Sequence, residues 1–190
     1  MSRQIKSFVN REEYLALERK AEYKSEYLDG GVFAMTGASR RHNLISTNLV
    51  TSLNVQLRGK PCEVYGSDMR LRVSAADLYT YADVVVVCGE PRFEDDYVDT
   101  LLNPTLVIEI LSKSTERYDR IAKSGYYRTV ESLSEYLLVA QEEYRIEQYT
   151  KQVNEHWLLS ETESLEGVVD LSSIACSLAL RDVYDKISLE

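Results

Sequence analysis

Two acids interrupt two apolar runs of this chain, and a lysine follows them. Asp83 stands in Tyr81-Ala82-Asp83-Val84-Val85-Val86-Val87, and Glu109 in Leu106-Val107-Ile108-Glu109-Ile110-Leu111. Lys123 lies in a stretch of helical character, near residues 119–130. Strands disfavour Asp, and burial disfavours either acid without a partner or an ion. The acids are 26 residues apart, in runs that could pair as neighbours in one sheet. A hard divalent cation such as Mg²⁺ or Mn²⁺ takes oxygen ligands and often only one or two carboxylates. Such an ion lowers the pKa of a bound water and stabilises charge on a phosphate oxygen, and a nearby lysine offsets developing negative charge. The structural alternatives are that Asp83 ends a strand and that Glu109 pairs with Lys123 in a salt bridge.

The elements that must position these groups can be read from pattern. Asn10 and Glu13 have capping-box spacing and open a helix to about Lys20, with Tyr14, Leu15 and Leu17 available for packing. Ser25-Glu26-Tyr27-Leu28 and Gly31-Val32-Phe33-Ala34-Met35 flank an Asp29-Gly30 hairpin turn. Leu44, Ile45, Leu49, Leu53 and Leu57 form the apolar stripe of a helix over 40–57, closed by Gly59 and Pro61. Cys62 to Tyr65 reads as a strand, and Met69-Arg70-Leu71-Arg72-Val73 alternates, placing both arginines outward. That pair is the clearest basic feature. An acidic loop with Pro91 spans 90–99 and is expected to be exposed and mobile.

Ser112, Ser114 and Thr115 offer capping chemistry ahead of Lys123. Tyr127 follows Lys123 by four positions and shares its helix face. A strand over 135–139, a hairpin built from 144–149 and 156–159, a short apolar piece at 168–171 and a closing helix over 180–187 complete the order. Helices and strands alternate in groups, which argues a mixed α/β or α+β fold.

Composition bounds the class. The chain has 190 residues, 44 % hydrophobic and 28 % charged, and reads as one domain over 1–190. No apolar run reaches the ~18 residues of a membrane helix, and no signal core follows the first residues. Cys62, Cys88 and Cys176 are odd in number and widely spaced, which fits a reducing cytoplasm better than a disulfide frame, with Cys88 a small core residue. The net charge of −9 is awkward for a nucleic-acid binder, although acids that hold a cation can still bring phosphate close. His42 and His156 lack a second His or Cys at metal spacing and read as polar surface or helix-end residues. The glycine-rich phosphate loop, the zinc signatures and the nucleophile elbow are absent.

The order Tyr81-Ala82-Asp83, Leu106 to Ser112 with Glu109, Ser114-Thr115, Tyr118-Asp119, Lys123 and Glu135 to Val139 resembles the bacterial restriction-endonuclease family often called Uma-two, within the PD-(D/E)XK nuclease superfamily. Glu26 to Gly30, Met35 and His42 are similar to its N-terminal half, so the likeness covers roughly residues 10–160. It implies a restriction-endonuclease-like core, a mixed sheet flanked by helices. It further implies Mg²⁺-dependent cleavage of DNA phosphodiester bonds and a homodimer. By position, Asp83 and Glu109 match the metal-binding acids, and Glu26 an acid that adds to the metal shell. Leu111 occupies the superfamily's usual lysine position, and Lys123 matches the lysine that this family carries on the following helix; Lys113 is the runner-up. Ala82 replaces the usual proline, and Gly31 replaces an acid that commonly follows the Asp-Gly turn. The competing reading is a non-catalytic member that keeps the fold for binding or assembly.

Overall fold

The computed structural model describes residues 4–6, 8–112 and 115–189. After β1 (Gln4–Lys6), Asn10 caps α1 (Arg11–Glu18) by accepting from the Glu13 backbone N–H, and Glu13 accepts in return from Asn10. Tyr14 and Leu15 of α1 pack with Val9, Tyr27 and Tyr79, whereas Leu17 faces solvent. β2 (Ser25–Leu28) and β3 (Gly31–Ala34) form the expected hairpin. Asp29 and Gly30 both take positive φ, as a two-residue turn of this kind requires. Ser39 caps the long α2 (Arg40–Gln56), whose Ile45, Leu49 and Leu53 are fully buried.

β4 (Cys62–Gly66), β5 (Arg70–Val73), β6 (Leu78–Tyr81), β7 (Val84–Cys88), β8 (Thr100–Leu101) and β9 (Leu106–Leu111) follow. A helical segment comes next, built of α3 (Glu116–Tyr118), a π-helical turn (Asp119–Lys123) and α4 (Ser124–Tyr127). β10 (Glu135–Ala140), β11 (Ile146–Lys151), β12 (Trp157–Thr162), β13 (Val168–Leu171), β14 (Cys176–Ala179) and α5 (Leu180–Val183) complete the chain. The pairing of β11 with β12 bears out the expected hairpin. The 168–171 piece has a partner that pattern missed, β14, and the closing helix is one turn shorter than expected.

Two mixed sheets carry the fold. One runs β1-β3-β2-β6-β5-β8 and the other β12-β11-β10-β9-β7-β4. β9 and β10 are parallel, so the chain must cross over between them, and that crossover holds the helical segment with Lys123. All six residues of β9 are buried because both faces of its sheet are covered. On one face Leu106, Ile108 and Ile110 pack beneath α2, β13–β14 and α5. On the other, Val107 and Leu111 meet Tyr127, Leu133 and residues of the first sheet.

Several expectations change. Tyr81 to Val87 is not one strand: β6 belongs to the first sheet and β7 to the second, and Ala82–Asp83 is the crossing point. Arg70 does not face outward. It is 3 % exposed, held by Asp99 (2.9 Å), the Thr100 hydroxyl (2.9 Å) and the Tyr81 hydroxyl (3.1 Å). Arg72 is paired with Glu94, so the supposed basic pair is neutralised from within. The acidic loop is fastened rather than loose: Arg19 holds Asp95 and Asp99, at 2.7 and 2.8 Å, and stacks on Tyr97. Cys62 and Cys88 stand directly opposite in the β4–β7 ladder, with Cα atoms 4.0 Å apart, and are joined by a disulfide. Cys176 alone is free, so the three cysteines do not point to a reducing compartment. Among the described residues no helix is long and apolar enough to cross a membrane.

Candidate active site

The predicted site residues come from four separate elements and converge. Alternation along β9 puts Glu109 on the face that carries Val107 and Leu111, towards the helical segment. There Lys123 Nζ reaches Glu109 Oε1 at 3.2 Å, and the Tyr127 hydroxyl donates to the same oxygen at 2.8 Å. The four-residue spacing of Lys123 and Tyr127 therefore does place both on one acid, and Tyr127 packs and lines the site at once. Glu26 reaches in from β2 of the other sheet. Its Oε1 lies 2.8 Å from Lys123 Nζ and accepts from the Thr80 hydroxyl at 2.5 Å. Asp119, on the same turn as Lys123, is 3.8 Å from it and was missed as a site residue, although its i,i+4 spacing was the available signal.

Asp83 is fixed differently. Its Oδ2 accepts the Ile110 backbone N–H at 2.7 Å, next to Glu109 in β9. Its Oδ1 lies 3.2 Å from His42 Nε2. His42 is a helix-end residue, as expected, in the first turn of α2, and from there its ring faces the acid. A ring of hydrogen bonds holds this corner. Ser39 Oγ accepts from the His42 backbone N–H at 3.1 Å and donates to Gln141 at 2.6 Å, and Gln141 donates to the Leu111 carbonyl at 2.8 Å. Leu111 adjoins Ile110, which closes the ring back to Asp83. Ser39 and Gln141 carry no sequence signal for this role, since only the fold brings them together. His156 is exposed and lies apart. Ser112 Oγ accepts the Thr115 backbone N–H at 3.2 Å, while Lys113 and Ser114 lie outside the described residues.

The electrostatics follow from burial. Glu109, Glu26, Asp119 and Lys123 are each under a tenth exposed, and Asp83 keeps 16 % of its side chain in contact with solvent. Burial pushes the Glu109 carboxyl up to about 8; Lys123 opposes this, and Asp119 and Asp83 add to it. Burial raises Asp119 as well. For Lys123, burial works against the charge, but Glu109 and Glu26 outweigh it and hold the ammonium well above its ordinary range. Three carboxylates, Glu26, Glu109 and Asp119, thus share one buried ammonium, an imbalance that a cation would relieve.

The donor set is oxygen-rich, which suits a hard cation. Among the described residues no three acidic, His or Cys side chains are grouped closely enough to cage an ion. Asp83 and Glu109 both line a cavity of about 620 Å³, and Mg²⁺ is a cation that uses few protein ligands and keeps waters.

A family model described as "Putative restriction endonuclease" (Uma2) matches residues 11–181. Two proteins of Synechocystis sp. are similar over most of their length. One, "Uncharacterized protein sll1609", is 38 % identical over 84 % of this chain and 90 % of its own. The other, "Uncharacterized protein slr1290", is 36 % identical over 91 % of this chain and 90 % of its own. A crystal structure of "a putative nuclease belonging to DUF820" from Anabaena variabilis superposes with a TM-score of 0.74, at 18 % identity, covering 95 % of this chain and 99 % of that one. That likeness shows a shared fold, mixed sheets flanked by helices. With its match running from α1 into α5, the chain belongs to the Uma2 restriction-endonuclease family.

Proposed function

We propose that this chain is a nuclease that hydrolyses DNA phosphodiester bonds with a divalent cation, Mg²⁺ or Mn²⁺, held by Asp83 and Glu109. Glu26 lines the same cavity, shares Lys123 with Glu109 and is the further acid that could add to the metal shell. The observation that carries this reading is the convergence of one lysine and three acids, from two sheets and a crossover, on one cavity.

A cation bound there would lower the pKa of a coordinated water and stabilise charge on the phosphate. The chain's own groups do the rest. Ile110 N–H and His42 hold Asp83 in a single orientation. Tyr127 and Lys123 hold one oxygen of Glu109, which leaves its other oxygen for the cavity. Lys123 is the fixed positive charge next to the acids, placed to offset charge that develops on the phosphate. Burial of these groups strengthens each interaction relative to water.

Each cavity is complete within one chain, so a homodimer is compatible with this reading without being required for it. The test is nicking of supercoiled plasmid DNA with and without Mg²⁺. The parent chain is expected to nick only with the cation, and Asp83→Ala and Glu109→Ala to lose nicking. Unchanged nicking by both variants would exclude the assignment. Absence of nicking in the parent, with DNA or another partner still bound, would favour the non-catalytic binding member instead.

A further inference from the structure

We infer that the strand this cavity accepts is unpaired DNA, with one base seated out of the stack against the cavity wall while its phosphodiester lies at the acids. This rests on the nuclease reading above.

Three observations lead to it. The first is depth. Glu109 is 4 % exposed, Glu26 8 % and Lys123 5 %, so a phosphate must enter the cavity to meet them. At about 620 Å³ the cavity falls in the ~300–1,000 Å³ range that encloses a single small molecule. A single flexible strand can lead its backbone into a pocket of this depth more readily than a stiff, stacked duplex can.

The second is the wall. Leu28, Phe33, Met35, Tyr81 and Tyr118 line the cavity beside the acids. A sugar–phosphate backbone gains little from apolar and aromatic surface, and stacked bases in a duplex cannot reach it. A free base can, because every base has a π face. The sequence makes room for this wall. A Cβ added at Gly31 would come within 2.9 Å of the Phe33 ring, so the glycine that replaces the family's acid is what lets the ring lie where it does.

The third is charge. Duplex affinity draws on many free Lys and Arg side chains along the backbone. Here Arg19, Arg70, Arg72 and Arg120 are all engaged with carboxylates of the same chain, and the net charge is −9. Stacking on the wall supplies affinity that this surface does not supply through phosphate contacts.

The experiment compares end-labelled oligodeoxynucleotides at fixed Mg²⁺: an unpaired strand, the same strand annealed to its complement, and a duplex with an unpaired arm. The expected result is about tenfold higher kcat/KM for the unpaired strand than for the duplex, with cleavage of the armed substrate confined to the arm. Tyr118→Ala and Phe33→Leu should raise KM for the unpaired strand about fivefold or more with kcat little changed. Equal or faster cleavage of the duplex overturns the inference and leaves the nuclease reading standing. A KM unmoved in both variants also overturns it. A parallel anisotropy titration with a fluorescein-labelled unpaired oligodeoxynucleotide in Ca²⁺ separates the two ideas. Binding in Ca²⁺ that both wall variants weaken supports the seating of an unpaired strand, and absence of cleavage by the parent in the Mg²⁺ assay is what removes the nuclease reading.

Discussion

Lys123 Nζ lies 3.2 Å from Glu109 Oε1 and 2.8 Å from Glu26 Oε1, so one ammonium from the crossover ties together two carboxylates from two different sheets. The helical segment lies on the face of β9 that carries Glu109, so a lysine placed there meets the acid directly. Lys123→Met would leave Glu109 and Glu26 buried without it. The expected cost is about 3–5 kcal/mol in urea unfolding, the range for breaking a buried pair by removing one partner. Nicking should fall by about 10²-fold or more. Lys123→Arg should not restore activity, because a planar fork does not replace a compact ammonium at this point.

The raised Glu109 carboxyl gives a pH dependence with a definite sign. Burial holds its pKa at about 8 in the folded chain against an ordinary 4.5, with Lys123 opposing and Asp119 and Asp83 reinforcing. The folded chain therefore binds this proton more tightly than the unfolded chain. Its stabilisation is complete below about pH 4.5 and is lost as pH rises towards 8. Lys123, raised in turn, stays charged throughout that window. The urea midpoint of the metal-free chain should fall between pH 5 and 8, and Glu109→Gln should flatten the slope. Added Mg²⁺ should stabilise the parent most at the alkaline end, where it has the fewest protons to displace.

His42 should behave as a positioning residue for Asp83. The contact between His42 Nε2 and Asp83 Oδ1, and the ring through Ser39 and Gln141, fix the acid from outside the cation's own shell. His42→Ala is expected to weaken divalent-cation binding by about 10–100-fold, as loss of such outer support commonly does. Calorimetric titration measures this directly, and the unfolding free energy in urea should change by only about 1 kcal/mol.

The acids were legible in the sequence because each interrupts an apolar run, and α2, β9 and β10 because their periods are long and clean. His42 was not, since its partner is brought near only by the chain crossing between sheets at Asp83. The same crossing is invisible in Tyr81 to Val87, where apolar residues run on without a break on either side of Ala82–Asp83. Arg70 misled because alternation assigns one face to solvent, and here the loop carrying Asp99 covers it. Cys62 and Cys88 hid in an odd count, and only strand register shows them to be opposite.

That disulfide makes its own prediction. It closes a sequence separation of 26 residues, for which loop entropy suggests about 3.5 kcal/mol. Cys62→Ser, or reduction of the parent, should lower the urea midpoint accordingly while leaving the cavity's cation binding in place. The check is paired unfolding curves with and without reductant.

The central claim is that Asp83 and Glu109 together hold a divalent cation. Titration of Mn²⁺ into the purified chain by calorimetry tests it most directly. The account predicts a saturable binding heat in the parent that disappears in Asp83→Ala and in Glu109→Gln. Absence of binding by the parent, or binding retained in both variants, would contradict it.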